Sequence, residues 1–141
     1  MENKNVLDEM NKGTTMGMEA VTDILEKVKG KDLKRLLKDM HKEYHTIEEK
    51  IQSIYSNYAE GDPHEINSMN KWMTDMGIDM RTMMDHSDSK LAELLLQGTN
   101  MGIIEGRRLL NQKEMDDEVK EILEEFVTLQ EKNVEALKKY L

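Results

Sequence analysis

A five-residue motif near the start of the chain returns 85 positions later, and this repetition constrains the fold more than any other feature of the sequence. The first copy reads Gly13-Thr14-Thr15-Met16-Gly17, and the second reads Gly98-Thr99-Asn100-Met101-Gly102. A slip of one residue near Ile103 extends the similarity, because Asp32-Leu33-Lys34 then aligns with Glu118-Val119-Lys120. The repeated unit is therefore predicted to be a whole helical hairpin, and two such units favour a closed pseudo-twofold bundle over a solenoid.

Apolar and small residues recur at alternating spacings of three and four through both copies, which is the period of amphipathic helices. We predict one hairpin over residues 3–60, with its turn at Gly30, and a second over residues 88–141. The composition of one Pro, 13 Met and one Phe favours helices with an aliphatic and methionine core over strands. The predicted class is all-α, and residues 1–141 are predicted to form a single helical bundle domain.

A further amphipathic helix is predicted over residues 64–86, between the two hairpins. Its methionines fall on one stripe, which consists of Met69, Met73, Met76, Met80 and Met83. A helix of about 20 residues spans roughly 30 Å, which suits one long crossover. The thioethers of these methionines could also bind Cu(I), with His64 and His86 near the ends of the stripe. We favour a role of the methionines in apolar packing instead. We expect the stripe to lie against the bundle or in a homo-oligomer formed through residues 69–84.

Charge and composition exclude several partners and sites. The net charge is −9, from 29 acidic and 20 basic residues, and no run of Lys and Arg could follow a phosphate backbone, so we expect no nucleic acid partner. The absence of Cys excludes disulfides, thiol nucleophiles and Cys-ligated metals. No apolar run approaches ~18 residues, so no transmembrane segment is predicted. The first five residues show no signal-peptide pattern, and we expect a soluble cytoplasmic protein.

The order of hairpin, long crossover and hairpin, with glycine-rich helix centres, resembles the ferritin-like superfamily. It is especially similar to the small uncharacterised bacterial bundle families in that superfamily. The resemblance implies a ferritin-like four-helix bundle. Active members carry an inward Glu on the first helix of each hairpin and Glu-x-x-His on the second, and these hold two metal ions. Neither Glu-x-x-His nor Asp-x-x-His occurs in this sequence.

Counting outward from the turns at Gly30 and Lys113 shows which residues face each other across each predicted hairpin. Thr14 to Gly17 come level with Tyr44, and Gly98 and Thr99 come level with Gln130. The inward positions at which a di-metal protein would carry its ligands are predicted to be Thr14, Tyr44, Ile47, Gly98, Gln130 and Asn133. These side chains supply almost no anionic oxygen, so we expect the metal site to be lost.

Glycines fall on successive turns in the middle of two predicted helices. They occur as Gly13-x-x-x-Gly17 and as Gly98-x-x-x-Gly102-x-x-x-Gly106, although each costs about 1 kcal/mol relative to Ala in a helix interior. Either the backbones of these two helices approach closely, or the missing side chains leave a pocket. We favour close approach, and in the pocket alternative Tyr44, Gln130 and Asn133 would orient a polar ligand.

Four other residues are weaker metal candidates. His41 and His45 stand one turn apart on the second helix, with Glu48 or Glu49 a further turn along, an arrangement that could hold a transition metal at a surface. Glu105 lies near the centre of an apolar stripe, where a carboxylate is costly unless it is paired. We favour the alternative, in which these residues are solvated and Glu105 is paired to Arg108 or Lys120.

The sequence therefore favours a non-catalytic ferritin-like bundle with a structural or protein-interaction role, no catalytic residues and no cofactor. A first alternative is a metal-binding or redox protein with iron or manganese at Glu105, His41, Glu43 and His45. A second is a small-ligand carrier with a cavity at mid-bundle.

Overall fold

Four helices account for most of the chain in the computed structural model, which describes residues 1–63 and 83–141. They are α1 (Asn3–Leu25), α2 (Lys31–Tyr55), α3 (Asp88–Gln112) and α4 (Asp117–Lys138). No strand occurs in these two ranges, and the prediction of an all-helical chain is confirmed for them. None of the described helices combines the length and the apolar character needed to cross a membrane.

The helices pack as a bundle around one apolar core. α1 packs mainly against α2, and α3 packs mainly against α4, while smaller contacts join α1 to α3 and α2 to α4. Each helix turns its stripe of apolar residues inward, as the spacing of three and four requires. Fully buried leucines come from all four helices and include Leu7, Leu37, Leu91 and Leu123.

Hydrogen bonds at the two ends of the bundle fix the directions of the helices. At one end, the carboxylate of Asp88, where α3 begins, accepts hydrogen bonds from the backbone N–H groups of Lys29 (2.9 Å) and Gly30 (2.7 Å), between α1 and α2. At the other end, the Glu2 backbone N–H, just before α1, donates to the carbonyl of Glu114 (2.8 Å), between α3 and α4. α1 and α3 therefore begin at opposite ends and run antiparallel.

The start of α3 has a local cause in the sequence. The Ser87 hydroxyl accepts a hydrogen bond from the backbone N–H of Lys90 at 3.2 Å, which satisfies one of the donors that a helix leaves free in its first turn. Asp88 adds an acidic residue to that turn, where the helix dipole favours negative charge.

The methionine stripe lies mostly outside the described residues. Met69, Met73, Met76 and Met80 fall within 64–82, as does His64, so the predicted crossover helix stays a prediction. Met83, the last member of the stripe, is partly buried and packs against the core, whereas the adjacent Met84 is 99% exposed.

Candidate mid-bundle site

A hydrogen bond between two buried side chains joins α2 to α4 at the middle of the bundle. The Tyr44 hydroxyl, on a residue that is 2% exposed, donates to Oε1 of Gln130 at 2.5 Å. A buried phenol needs such an acceptor, because an unpaired hydroxyl in an apolar core is costly. Tyr44 and Gln130 are thus the centre of a polar cluster inside an otherwise apolar core.

Two buried threonines come from the repeated motif and behave alike. Thr14 donates its hydroxyl proton to the carbonyl of Asn11 at 2.9 Å, and Thr99 donates to the carbonyl of Leu95 at 2.7 Å. Each hydroxyl therefore bonds back to its own helix, as threonines in helix interiors often do. The oxygen of each hydroxyl keeps lone pairs that can accept a further hydrogen bond.

The ionisation of Tyr44 is strongly suppressed. Burial raises the pKa of the Tyr44 hydroxyl to about 12 from its ordinary value of 10.0. The polar atoms of Thr99, Gln130 and Asn133 lie near the hydroxyl and oppose this rise in pKa, since they favour the phenolate. Tyr44 is therefore a neutral hydrogen-bond donor at physiological pH.

The glycines of the repeated motif make room for this pair of side chains. A Cβ added to Gly17 would lie 2.7–2.9 Å from three carbons of the Tyr44 ring, and one added to Gly102 would collide with Nε2 of Gln130. These contacts join each glycine to a side chain of the helix with which it mainly packs. The sequence interpretation favoured an approach between the backbones of α1 and α3 instead.

The neighbouring glycines show the same kind of contact. A Cβ on Gly13 would lie 3.1 Å from the tip of the Phe126 ring, and one on Gly106 would lie 2.5 Å from a methyl group of Val127. Phe126 and Val127 belong to α4, so α4 packs closely against glycines of both α1 and α3. Gly98 is half-buried.

Asn133 completes the polar cluster, one turn beyond Gln130 on α4. It is 1% exposed, and within residues 1–63 and 83–141 neither Nδ2 nor Oδ1 of its side chain has a hydrogen-bond partner. Ile47, another inward position derived from the sequence, lies in the apolar core. The cluster thus holds hydroxyl and amide groups and no carboxylate.

The weaker metal candidates do not converge at mid-bundle. His45 is exposed, and its Nε2 lies 2.8 Å from Glu49. Glu43 pairs with Lys132 at 3.2 Å, while His41 is half-buried.

Glu105 is solvated, although the sequence places it near the centre of an apolar stripe. Its side chain is 61% exposed and forms an ion pair with Arg108, which is the alternative arrangement. Among the described residues, no group of three or more His, Asp or Glu side chains is arranged to hold a metal ion.

A second buried polar contact was missed by the sequence interpretation. The Tyr55 hydroxyl donates to Oδ1 of Asp8 at 2.7 Å, and Lys4 bonds the other oxygen of Asp8 at 2.7 Å. Burial raises the pKa of Tyr55, and the hydrogen bond to Asp8 raises it further. The available sequence clue was that Tyr55 continues the inward stripe of α2 four residues after Ile51.

We expect Gly17→Leu and Gly102→Leu each to lower the free energy of unfolding by a few kcal/mol, because bulk forced into a packed core costs typically about 1–3 kcal/mol. Gly17→Ala is a sharper test. Ala normally stabilises a helix interior by about 1 kcal/mol relative to Gly. Here the Cβ of Ala would meet the Tyr44 ring, so we expect this gain in stability to be absent. Urea and thermal unfolding provide the measurement.

The matched control is Gly17→Ala in a Tyr44→Leu background, where the ring is absent and the ordinary gain from Ala should return. A melting temperature that is unchanged or raised in Gly17→Leu or Gly102→Leu would contradict the close-contact interpretation.

The raised pKa of Tyr44 predicts a specific loss of stability at high pH. Because the hydroxyl titrates at about 12 in the folded chain and near 10.0 when unfolded, its contribution is complete below pH 10.0 and is lost as the pH rises through about 12. Tyr44→Phe should lose less stability than wild type over this range. At neutral pH it should be less stable by about 1–3 kcal/mol, since Oε1 of Gln130 loses its donor.

The measurement is urea unfolding as a function of pH, together with an ultraviolet titration of the phenolates. Tyr140→Phe serves as the control, because Tyr140 is half-buried near the end of the chain and outside the cluster. Equal pH dependence in wild type and Tyr44→Phe would show that Tyr44 does not titrate in this way.

Comparison with known proteins gives a family but no function. The family model described as Domain of unknown function (DUF2383) matches residues 2–112, which include α1, α2 and α3. No curated protein and no solved structure matches the chain. α4, which carries Gln130 and Asn133, lies beyond the matched residues. Since the match covers well over half of the sequence, the chain belongs to the DUF2383 family.

Proposed function

We propose that this chain is a non-catalytic bundle of ferritin-like architecture with a structural or protein-interaction role, in which a neutral pair of side chains occupies the place of a di-metal site. The observation that carries the proposal is the buried hydrogen bond from Tyr44 to Gln130 at mid-bundle.

The positions of the helix ends support a ferritin-like connection. Tyr55, the last residue of α2, bonds to Asp8 near the start of α1. Asp88, the first residue of α3, bonds to Gly30 at the end where α1 finishes. These contacts support a connection between residues 55 and 88 that joins opposite ends of the bundle, as a single long crossover does.

Contacts that recur at equivalent positions of the two proposed hairpins support the pseudo-twofold arrangement. Tyr44 and Gln130 are 86 positions apart, so the two partners of the central hydrogen bond occupy equivalent places in the two proposed hairpins. Gly17 packs on Tyr44 as Gly102 packs on Gln130. Thr14 bonds back to its own helix in the same way as its counterpart in the second hairpin.

The chemistry of the cluster supports the loss of the metal site. Two iron or manganese ions need several anionic oxygens and imidazoles, and the resemblance would place Glu and His at these positions. The residues present are a Tyr that stays protonated, two Thr, a Gln and an Asn. They do not fit two such ions.

The packing of the glycines favours a structural role over that of a ligand carrier. A carrier needs an open volume at mid-bundle, and the space above Gly17 and Gly102 is filled by the Tyr44 ring and the Gln130 amide. The side chains of Tyr44 and Gln130 pack against these glycines at contact distance, as core residues do.

Protein purified without chelators or an affinity tag is expected to contain far less than one iron or manganese ion per chain. We also expect it not to accelerate oxidation of Fe(II) by O₂ above a buffer blank. Elemental analysis provides the measurement. About two iron or manganese ions per chain would overturn the proposal. The control is the His41→Ala/His45→Ala double variant, in which any trace of nickel or zinc held by surface histidines should fall.

We further propose that the chain self-associates through residues 69–84. The support is the sequence pattern of the methionine stripe, since most of these residues are not described by the structure. Met76→Lys combined with Met80→Lys is expected to dissociate an oligomer or to lower the melting temperature, because charge would enter an apolar surface.

Sedimentation and thermal unfolding measure both effects. Asp75→Lys is the control, because it places the same side chain on the predicted polar face of the same helix. Unchanged sedimentation and melting in the double variant would remove the stripe as either interface or core.

A further inference from the structure

The side chain of Asn133 is a buried amide without a protein partner. It is 1% exposed, and neither Nδ2 nor Oδ1 bonds to any residue in the described part of the chain. An amide carries two donors and an acceptor with two lone pairs. Buried polar groups in this situation are usually satisfied by an ordered water molecule.

The surroundings of Asn133 supply further hydrogen-bonding groups. The hydroxyls of Tyr44 and Thr99 both lie in this cluster, and each has already given its proton to a protein acceptor. Their oxygens can therefore accept hydrogen bonds but not donate another. A molecule that accepts from Nδ2 of Asn133 and donates to these oxygens would satisfy both sides, and water has two donors and two acceptors.

The size and charge of the occupant are limited by the same residues. The Tyr44 ring and the Gln130 amide already fill the space above Gly17 and Gly102, so no room remains there for a larger ligand. The buried polar residues of the cluster are neutral, which disfavours an ion because a buried charge needs a compensating partner. The filled space above these glycines and the neutrality of the cluster thus favour a small neutral molecule such as water.

We propose that the bundle encloses a site for one ordered water molecule, which the amide of Asn133 holds beside the hydroxyl of Tyr44. This goes beyond the proposed function, which needs only the Tyr44 and Gln130 pair. The water completes the neutral hydrogen-bond network at mid-bundle and links α2 to α4 a second time.

Oxygen-17 relaxation dispersion of the solvent counts water molecules that stay inside a protein longer than it tumbles, and it tests this site in solution. Asn133→Leu should abolish the contribution of one long-lived water molecule and lower the melting temperature. Asn111→Leu is the control, because it makes the same change at an exposed amide near the end of α3 and should alter neither quantity. An unchanged dispersion in Asn133→Leu would overturn the proposal.

A measurement on wild-type protein covers the case in which Asn133→Leu does not fold. A high-resolution crystal structure should show a water-sized density peak within hydrogen-bonding distance of Nδ2 or Oδ1 of Asn133. Empty space at this place, or density too large for water, would overturn the assignment.

Discussion

The rest of the bundle depends on the hydrogen bond that Tyr44 donates to Gln130, because it is a polar contact in a core that is otherwise tolerant of rearrangement. Apolar side chains such as Leu37 and Leu123 can pack in more than one register with little loss of free energy. A buried hydroxyl and a buried amide cannot, since a shift of one residue would leave both unpaired at about 1–3 kcal/mol each. The pair therefore specifies how α2 and α4 align, and the glycines opposite it allow that alignment.

Contacts at the two ends complete this specification. The carboxylate of Asp88 bonds the turn between α1 and α2, and Glu2 bonds the turn between α3 and α4. The buried bond from Tyr55 to Asp8 then fixes α2 against α1. The central and terminal contacts act on different pairs of helices, so together they restrain all four helices relative to one another.

The helices could be predicted from the sequence because a spacing of three and four is a local property of each segment, and it predicted the all-helical class. Spacing gives the angle of a residue around its own helix, but not where neighbouring helices cover it. Glu105 shows this limit, since it follows the stripe of α3 yet is exposed beside Arg108. The bond from Tyr55 to Asp8 was unpredictable for the same reason, because it depends on the rotation of α1 relative to α2.

A neutral centre and a di-metal centre are two self-consistent ways to fill the middle of such a bundle, and mixtures of the two are costly. Carboxylates in an apolar core need metal ions to balance their charge, and without the ions they would repel one another or be forced to bind protons. Hydroxyl and amide groups need only each other. A single Glu at the position of Gln130 would remove the amide that meets Gly102 and would bury a charge with no cation beside it. The neutral side chains at mid-bundle are therefore best understood as one unit, in which each member is tolerated because the others are uncharged.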